Sequence, residues 1–389
     1  MIVSHLELKN WRNFRKVDIP LRERQFIVGP NASGKSNLLD VFRFLRDIAK
    51  PTGGGLRKAI DTRGGVSKVR CLSARRDTEI LIGIRISNSA DDGIPLWRYE
   101  IGIKQETAGH RRPILSREKV WQGGELIINR PDDDDVADPA RLTQTFLEQI
   151  NENQKFREIS EFLSRITYLH LVPQLLRHAQ NFQNNLIEED PFGQGFLEKV
   201  AGSSQRTQES RLSKIEKVIK IAVPKMGKLS FERDNVTGRP HLKALYSHWR
   251  PDAGWQREDQ FSDGTLRLIG FLWSMLESDS LLLLEEPELN LHEGIVEKLA
   301  SMIHRMQRRK KQGEKRQVLI STHSTELLSS IEIDGRETLL LIPGDEGTEV
   351  KVSSSLPDVK ALLKAGCSVG EAAIPRTRPE HINQLDMSF

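Results

Sequence analysis

Cysteine is nearly absent: the 389 residues hold only two, Cys71 and Cys367. Two thiols so far apart, without metal-ligand spacing, support neither a disulfide framework nor a zinc site, and a reducing cytoplasm is the expected compartment. Charge of one sign is lacking too. The 58 Lys+Arg against 54 Asp+Glu leave a formal +4, too little over this length to announce a nucleic-acid partner by charge alone. Any basic surface must be local. Long hydrophobic runs are also missing, since the charge-free apolar segment Leu268 to Leu276 is half a membrane span. The stretch Met1 to Trp11 has no basic region followed by an apolar one, so neither export nor a membrane partner is expected.

What is present is a globular composition, 37% hydrophobic and 29% charged. At about 150 residues per domain the length suits two or three domain-sized units. His5 to Leu8 alternates polar and apolar, and Gln25 to Val28 is a short apolar run ending at a glycine, both strand patterns. From Asn37 the apolar residues Leu38, Val41, Phe42, Leu45 and Ile48 form a helical stripe, which stops before Pro51 and the loop-like Gly53-Gly54-Gly55. Ile80 to Ile86, Leu96 to Ile103 and Ile114 to Ile128 read as antiparallel strands, the last broken by Gln122-Gly123-Gly124. The acidic run Asp132 to Asp135 reads as a solvated loop. A mainly helical stretch follows, interrupted by Tyr168 to Pro173 and by polar loops such as Gln180 to Asn185. After about Gln260, helix and strand alternate: Thr265 to Glu277, Leu281 to Leu284, Leu291 to Gln307 and Gln317 to Ser321. That is the pattern of a parallel sheet covered by helices. The segment after Ile374 reads as a loosely held tail.

The strongest chemical signal is Gly29-Pro30-Asn31-Ala32-Ser33-Gly34-Lys35-Ser36, which fits G-x-x-x-x-G-K-[ST] between a predicted strand and a predicted helix. Such a loop wraps phosphates with backbone N–H groups, while Lys35 reaches the β/γ-phosphates and Ser36 the Mg²⁺. Downstream, Leu281 to Leu284 delivers Glu285 and Glu286, as a buried strand presents carboxylates to a Mg-nucleotide. Glu285 would bind the metal and Glu286 would polarise the water that attacks the γ-phosphate.

With these motifs in order, the chain resembles the ATP-binding-cassette ATPases of the RecF, SMC and OLD group. The phrase Leu6-Glu7-Leu8-Lys9-Asn10-Trp11-Arg12-Asn13-Phe14 and the segment Asn37-Leu38-Leu39-Asp40 look like theirs on either side of the phosphate loop. Phe261-Ser262-Asp263-Gly264-Thr265 resembles their signature motif and Ser321-Thr322-His323-Ser324 their switch-histidine loop. The resemblance implies an α/β fold: a P-loop NTPase core in two pieces, 1–75 and 256–350. An antiparallel β subdomain at 76–130, an inserted helical lobe at 131–255 and a C-terminal extension at 351–389 would complete it. It implies ATP and Mg²⁺ as cofactors, contacts from Asn31, Ser33 and Asn37, and a homo-oligomer of at least two protomers. In that pair Ser262 and Gly264 would cap the γ-phosphate held by the partner. His323 would meet the γ-phosphate or the attacking water, and Asn290 would lie at the interface.

Three departures stand out. Glu285 replaces the usual Asp, implying slow turnover; Asp263 replaces a glycine common in cassette ATPases, putting negative charge near a phosphate site unless the side chain turns away; and no glutamine is an evident Q-loop residue, Gln174 being the nearest candidate.

An insertion of well over a hundred residues disfavours a transporter domain, the lack of sustained heptads disfavours an SMC arm, and the 66 residues after His323 are too few for the Toprim nuclease of OLD proteins. The reading is a cytoplasmic ATPase that senses nucleic acid or a phage protein and controls a separately encoded nuclease or toxin. It is similar to the ATPase subunits of two-gene antiphage systems such as PARIS or Septu. The alternative is a RecF-like DNA-repair ATPase, and a third reading is an ATP-binding scaffold, against which Glu286 and His323 argue. Two basic runs bear on DNA. Arg308 to Lys311 with Lys315 and Arg316 reads as a solvated loop, whereas His110-Arg111-Arg112 with Arg117 and Lys119 leaves DNA contact and plain surface equally open.

Overall fold

The computed structural model describes residues 1–106, 111–177, 192–250, 254–277, 280–308 and 316–377. It opens with β1 (Ile2–Trp11), β2 (Phe14–Pro20), β3 (Arg24–Val28) and α1 (Lys35–Ala49), then α2 (Leu56–Asp61) and α3 (Val66–Val69). β4 (Ile80–Ser87), β5 (Trp97–Gln105), β6 (Pro113–Gln122) and β7 (Glu125–Arg130) precede α4 (Asp133–Ala137) and α5 (Arg157–Ser164). β8 (Thr167–Leu169), α6 (Pro173–Arg177), α7 (Phe196–Gly202) and α8 (Gln205–Ala222) lead to β9 (Met226–Arg233), β10 (Pro240–Tyr246) and β11 (Trp255–Arg257). The last third holds α9 (Asp263–Glu277), β12 (Leu282–Glu285), α10 (Glu293–Arg308), β13 (Val318–Thr322), β14 (Thr338–Gly344) and β15 (Gly347–Val352). α11 (Pro357–Lys364) and α12 (Val369–Ala373) end the series.

These elements form two units. The first comprises Met1–Thr167, Ser280–Leu283 and Gln307–Phe389. It carries an antiparallel sheet in the order β2-β1-β4-β5-β6-β7. Period-two alternation builds it: Leu6 and Leu8 of β1 are buried against Ile19 and Val17 of β2 and Ile84 and Ile82 of β4, while His5, Glu7 and Lys9 face outward. This sheet therefore starts at Ile2 rather than at 76. The pairing of β1 with β4 spans some eighty residues, a register that local patterning does not reveal.

The second sheet of this unit runs β15-β14-β3-β13, followed by the first residues of β12 and β8. β3 lies parallel to both neighbours, and every residue of β3 and β13 is buried, which is why Phe26 to Val28 and Val318 to Ile320 read as short apolar runs. α1 buries the predicted stripe Leu38, Val41, Phe42, Leu45 and Ile48, each large apolar side chain contributing about 1.5–3 kcal/mol.

Two local expectations are corrected. Gly53 and Gly54 lie in the expected loop, but Gly55 is buried with its N–H donating to Asp47 O, so that end of the glycine run is anchored. Asp132 to Asp135 is not a solvated loop: Asp132 caps α4, and Asp135 is 1% exposed with both oxygens on Arg130 at 2.8 and 2.9 Å. Arg130 also meets Glu118 at 2.9 Å, and Glu118 is fully buried, accepting from Tyr99 Oη and the N–H groups of Phe146 and Leu147. A buried charge is tolerable only when so satisfied.

The second unit comprises Tyr168–Asp279 and Leu284–Met306. Its centre is α9, buried from Thr265 to Met275, with Phe196 of α7 edge-on to Trp273 at 6.2 Å. The region expected to be mainly helical also contains an antiparallel sheet, β11-β10-β9, because Leu229, Leu242 and Ala244 bury one face of it. The expected loop Gln180 to Asn185 lies outside the described residues. So does most of the expected tail; Ile374–Thr377 is tied by an Arg376–Asp358 ion pair at 2.6 Å.

Candidate functional site

In the first unit, β3 runs straight into the glycine-rich loop and α1. Gly34 takes φ 99° and precedes a helix that no side chain caps, so the positive end of the helix dipole is presented at the loop. A Cβ on Gly34 would overlap the Asn13 carboxamide, and one on Gly29 would crowd Ser33 Oγ and Leu341. Lys35 lies back over the loop, its Nζ donating to Gly29 O at 2.9 Å and Pro30 O at 3.2 Å. Ser33 Oγ is buried without a hydrogen-bond partner, while Asn31 and Ser36 are exposed and Asn37 is half-buried. A helix N-terminus, a cation and the unpartnered Ser33 hydroxyl suit a polyphosphate. The Ser36 hydroxyl and a carboxylate are the hard oxygen donors that Mg²⁺ takes.

Asn13 braces this loop. Its Nδ2 donates to Ser33 O at 2.7 Å and Thr348 Oγ1 at 2.8 Å, and its Oδ1 accepts from Asn37 Nδ2 at 2.9 Å. Trp11 Nε1 donates to Asn37 O, and Arg12 meets Asp40 at 3.2 Å. The N-terminal phrase is thus a scaffold for the loop. His323 stands at the same sheet end: Thr322 is in register with Val28 on the adjacent parallel strand, so the exposed His323 and Gly29 leave the sheet side by side.

The second unit holds the other expected residues. Ser262 caps α9, its Oγ accepting from Thr265 N at 3.2 Å. Asp263 turns toward Arg177 Nη2 at 2.6 Å and Gln174 Nε2 at 2.8 Å, with Asn290 Nδ2 at 3.5 Å, so the unexpected acid is neutralised. Gly264 packs on the carbonyl of Asn290, where any Cβ would clash. Glu285 accepts from Tyr168 Oη. Glu286 sits at φ 44°, a left-handed turn straight after the strand that a non-glycine residue adopts only under constraint. Its carbonyl accepts from Arg267 Nη1 at 3.3 Å, and burial pushes the Arg267 guanidinium pKa down despite the nearby Glu288, Asp263 and Glu286.

The structure thus groups Gly29, Ser33, Gly34, Lys35, Ser36, Asn37 and His323 in one unit, and Ser262, Gly264, Glu285, Glu286 and Asn290 in the other. Asn13 belongs to the N-terminal phrase that resembles the family, whereas Tyr168 and Arg177 carry no motif of their own. No spacing rule marks them, since their partners lie 20, 117 and 86 residues away.

Only part of each basic run lies within the described residues. Arg316 is 3% exposed and donates from Nε to Ser280 O, so it is structural; 309–315 lie outside the described residues. Arg112 meets Glu106, and Arg117 meets Glu79 and Glu100. Their charge is already compensated, while His110 lies outside the described residues. Among the described residues no helix is long and apolar enough to cross a membrane.

Residues 26–329 match the family described as "AAA domain, putative AbiEii toxin, Type IV TA system", and residues 3–45 match "P-loop containing region of AAA domain". The DNA replication and repair protein RecF of Agathobacter rectalis is 28% identical over 111 residues, covering 28% of this chain and 30% of that protein. RecF of Roseiflexus castenholzii is 26% identical over 100 residues, covering 24% and 25%. The chain thus spans under a third of the length of either relative. A crystal structure of an SMC head bound to the C-terminal winged-helix domain of ScpA shares the fold, with a TM-score of 0.52 at 14% identity over 90% of this chain and 97% of that one. The family match over most of the chain and the phosphate loop on β3 lead to one assignment: the chain belongs to this P-loop AAA-domain family and has the fold of an SMC head.

Proposed function

We propose that the protein binds and hydrolyses ATP with Mg²⁺ at sites shared between two protomers, and that this cycle gates a separately encoded nuclease or toxin in antiphage defence. The carrying observation is the braced loop, in which Lys35, the orphan Ser33 hydroxyl and the uncapped α1 are preset for a polyphosphate beside His323. In this reading Ser36 and Glu285 hold Mg²⁺, and Glu286 with His323 orients the attacking water. Ser262 and Gly264 serve the partner's nucleotide, and Asn290 lies at the interface.

The gating part is supported by three points. Arg112 and Arg117 are already ion-paired, so two cations of the run on the antiparallel face are engaged within the protein. The family's description names a type IV toxin-antitoxin system, which is in keeping with this reading. A head of this fold accepts a protein partner in the ScpA complex. The RecF matches favour the second reading, a repair ATPase acting on DNA.

Co-purification of the neighbouring gene's product with wild type, Lys35→Ala and Glu286→Gln, with and without ATP, separates the two. A nuclease or toxin whose retention follows the nucleotide site is the expected result; DNA as the sole ATP-dependent ligand would replace it with repair. Phosphate release no higher than in Glu286→Gln would leave only the scaffold.

A further inference from the structure

One short segment of the second unit touches both chemical groups of that unit. β8 brings Tyr168 Oη to the Glu285 carboxylate. Three residues on, Leu171 fills the space over Gly270 of α9, where a Cβ would meet its methyl groups. α6 then brings Gln174 and Arg177 to Asp263, and Arg177 Nη2 also donates to Phe261 O at 2.7 Å. The guanidinium thereby grips the signature loop on both sides of Ser262, by the carbonyl before it and the carboxylate after it. Arg177 and Asp263 are 22% and 27% exposed, sheltered enough for the pair to count for more than a surface ion pair.

Within the reading proposed above, we infer that Tyr168–Arg177 is a relay that fixes the metal-side carboxylate of one nucleotide site in register with the signature loop that serves the partner's site, and that Arg177 is its positioning residue. The chemistry requires it. Asp263 next to Ser262 would repel a γ-phosphate unless its charge is cancelled and its side chain held aside, and Arg177 does both while leaving Ser262 exposed. The orientation that presents Ser262 outward is the one in which Arg177 holds Asp263. Removing the guanidinium frees the acid to swing toward the incoming phosphate, whereas removing both restores the neutral loop usual in cassette ATPases.

The test compares Arg177→Ala, Arg177→Lys, Asp263→Gly and the double variant Arg177→Ala/Asp263→Gly with wild type. Three readouts are taken on the full chain: binding of a fluorescent ATP analogue to the protomer, ATP-driven dimerisation by light scattering, and steady-state hydrolysis. Arg177→Ala is expected to keep analogue affinity within about twofold, because the phosphate loop is untouched. It should lose about tenfold or more in dimerisation and kcat, the scale of a small misplacement. Arg177→Lys should lie in between, since the ammonium keeps the positive charge but sits on a shorter side chain and lacks the fixed planar orientation of the guanidinium. The double variant should recover to within about threefold of wild type, which loss of packing alone cannot do. Arg177→Ala dimerising and turning over like wild type, or a double variant no better than the single one, overturns the relay. Wild type that binds the analogue but never dimerises overturns the shared-site reading and the relay with it.

Discussion

Asn13 shows how one uncharged side chain can set a nucleotide site. Its carboxamide holds Ser33 O, Thr348 and Asn37 at once, and it fills the space that makes Gly34 obligatory. Asn13→Ala is expected to leave the protein folded and weaken ATP binding about tenfold, the worth of one to three net hydrogen bonds; titration of a fluorescent analogue checks this, with Lys35→Ala as the stronger reference. Glu148 makes a different residue-scale case. Burial, aided by the charge of Glu118 and opposed by N–H donation from Leu56, raises its pKa to about 7 from 4.5. The folded state then keeps a proton that the unfolded chain releases, so this group's contribution is whole below about pH 4.5 and is lost as pH rises through 7. Between pH 5 and 8 wild type should lose on the order of 2 kcal/mol more stability than Glu148→Gln, by denaturant titration at each pH. Equal pH dependence in the two proteins would refute the assignment.

At the scale of elements, β3, α1, α9, β12, α10 and β13 were legible because each carries its own periodicity and a motif at one end. The acidic run before α4 was not. Its meaning lies in Arg130, which pairs Asp135 with the fully buried Glu118 of β6 and stacks 3.8 Å from the Phe146 ring centre. No local pattern distinguishes such an acid from a solvated one, because the deciding partner belongs to another element. Burial pushes the Glu118 pKa up, against the pull of its N–H donors and of Arg130. Arg130→Met should therefore cost about 3–5 kcal/mol, since two acids lose their buried counter-charge. Adding Glu118→Gln should recover part of that loss, because glutamine removes the charge yet retains an acceptor for Phe146 or Leu147. A double variant less stable than Arg130→Met in chemical denaturation would show that hydrogen bonding outweighs charge here.

At the scale of the whole molecule, the order of the four motifs already pointed to a two-piece ATPase core, but not to the two units observed. The chain passes from one unit to the other inside β8 and β12, so boundaries set by composition could not find them. The same division explains why the candidate residues form two groups, a phosphate-loop group with His323 and a signature group with Glu286. If each site joins the first group of one protomer to Ser262 of another, two defective chains should complement. Lys35→Ala removes the phosphate loop but keeps Ser262; Ser262→Arg, at an exposed position, blocks the signature but keeps Lys35. Each alone forms only dead sites. Mixed at equal amounts, half of the pairs are heterodimers, and each has one site joining a sound loop to a sound signature. Recovered ATPase should approach about a quarter of the wild-type rate under two-fold symmetry with independent sites. No recovery, although native mass spectrometry shows that heterodimers form, would mean that both sites must fire together or that each protomer holds a whole site; a Ser262→Arg homodimer with full activity would select the second.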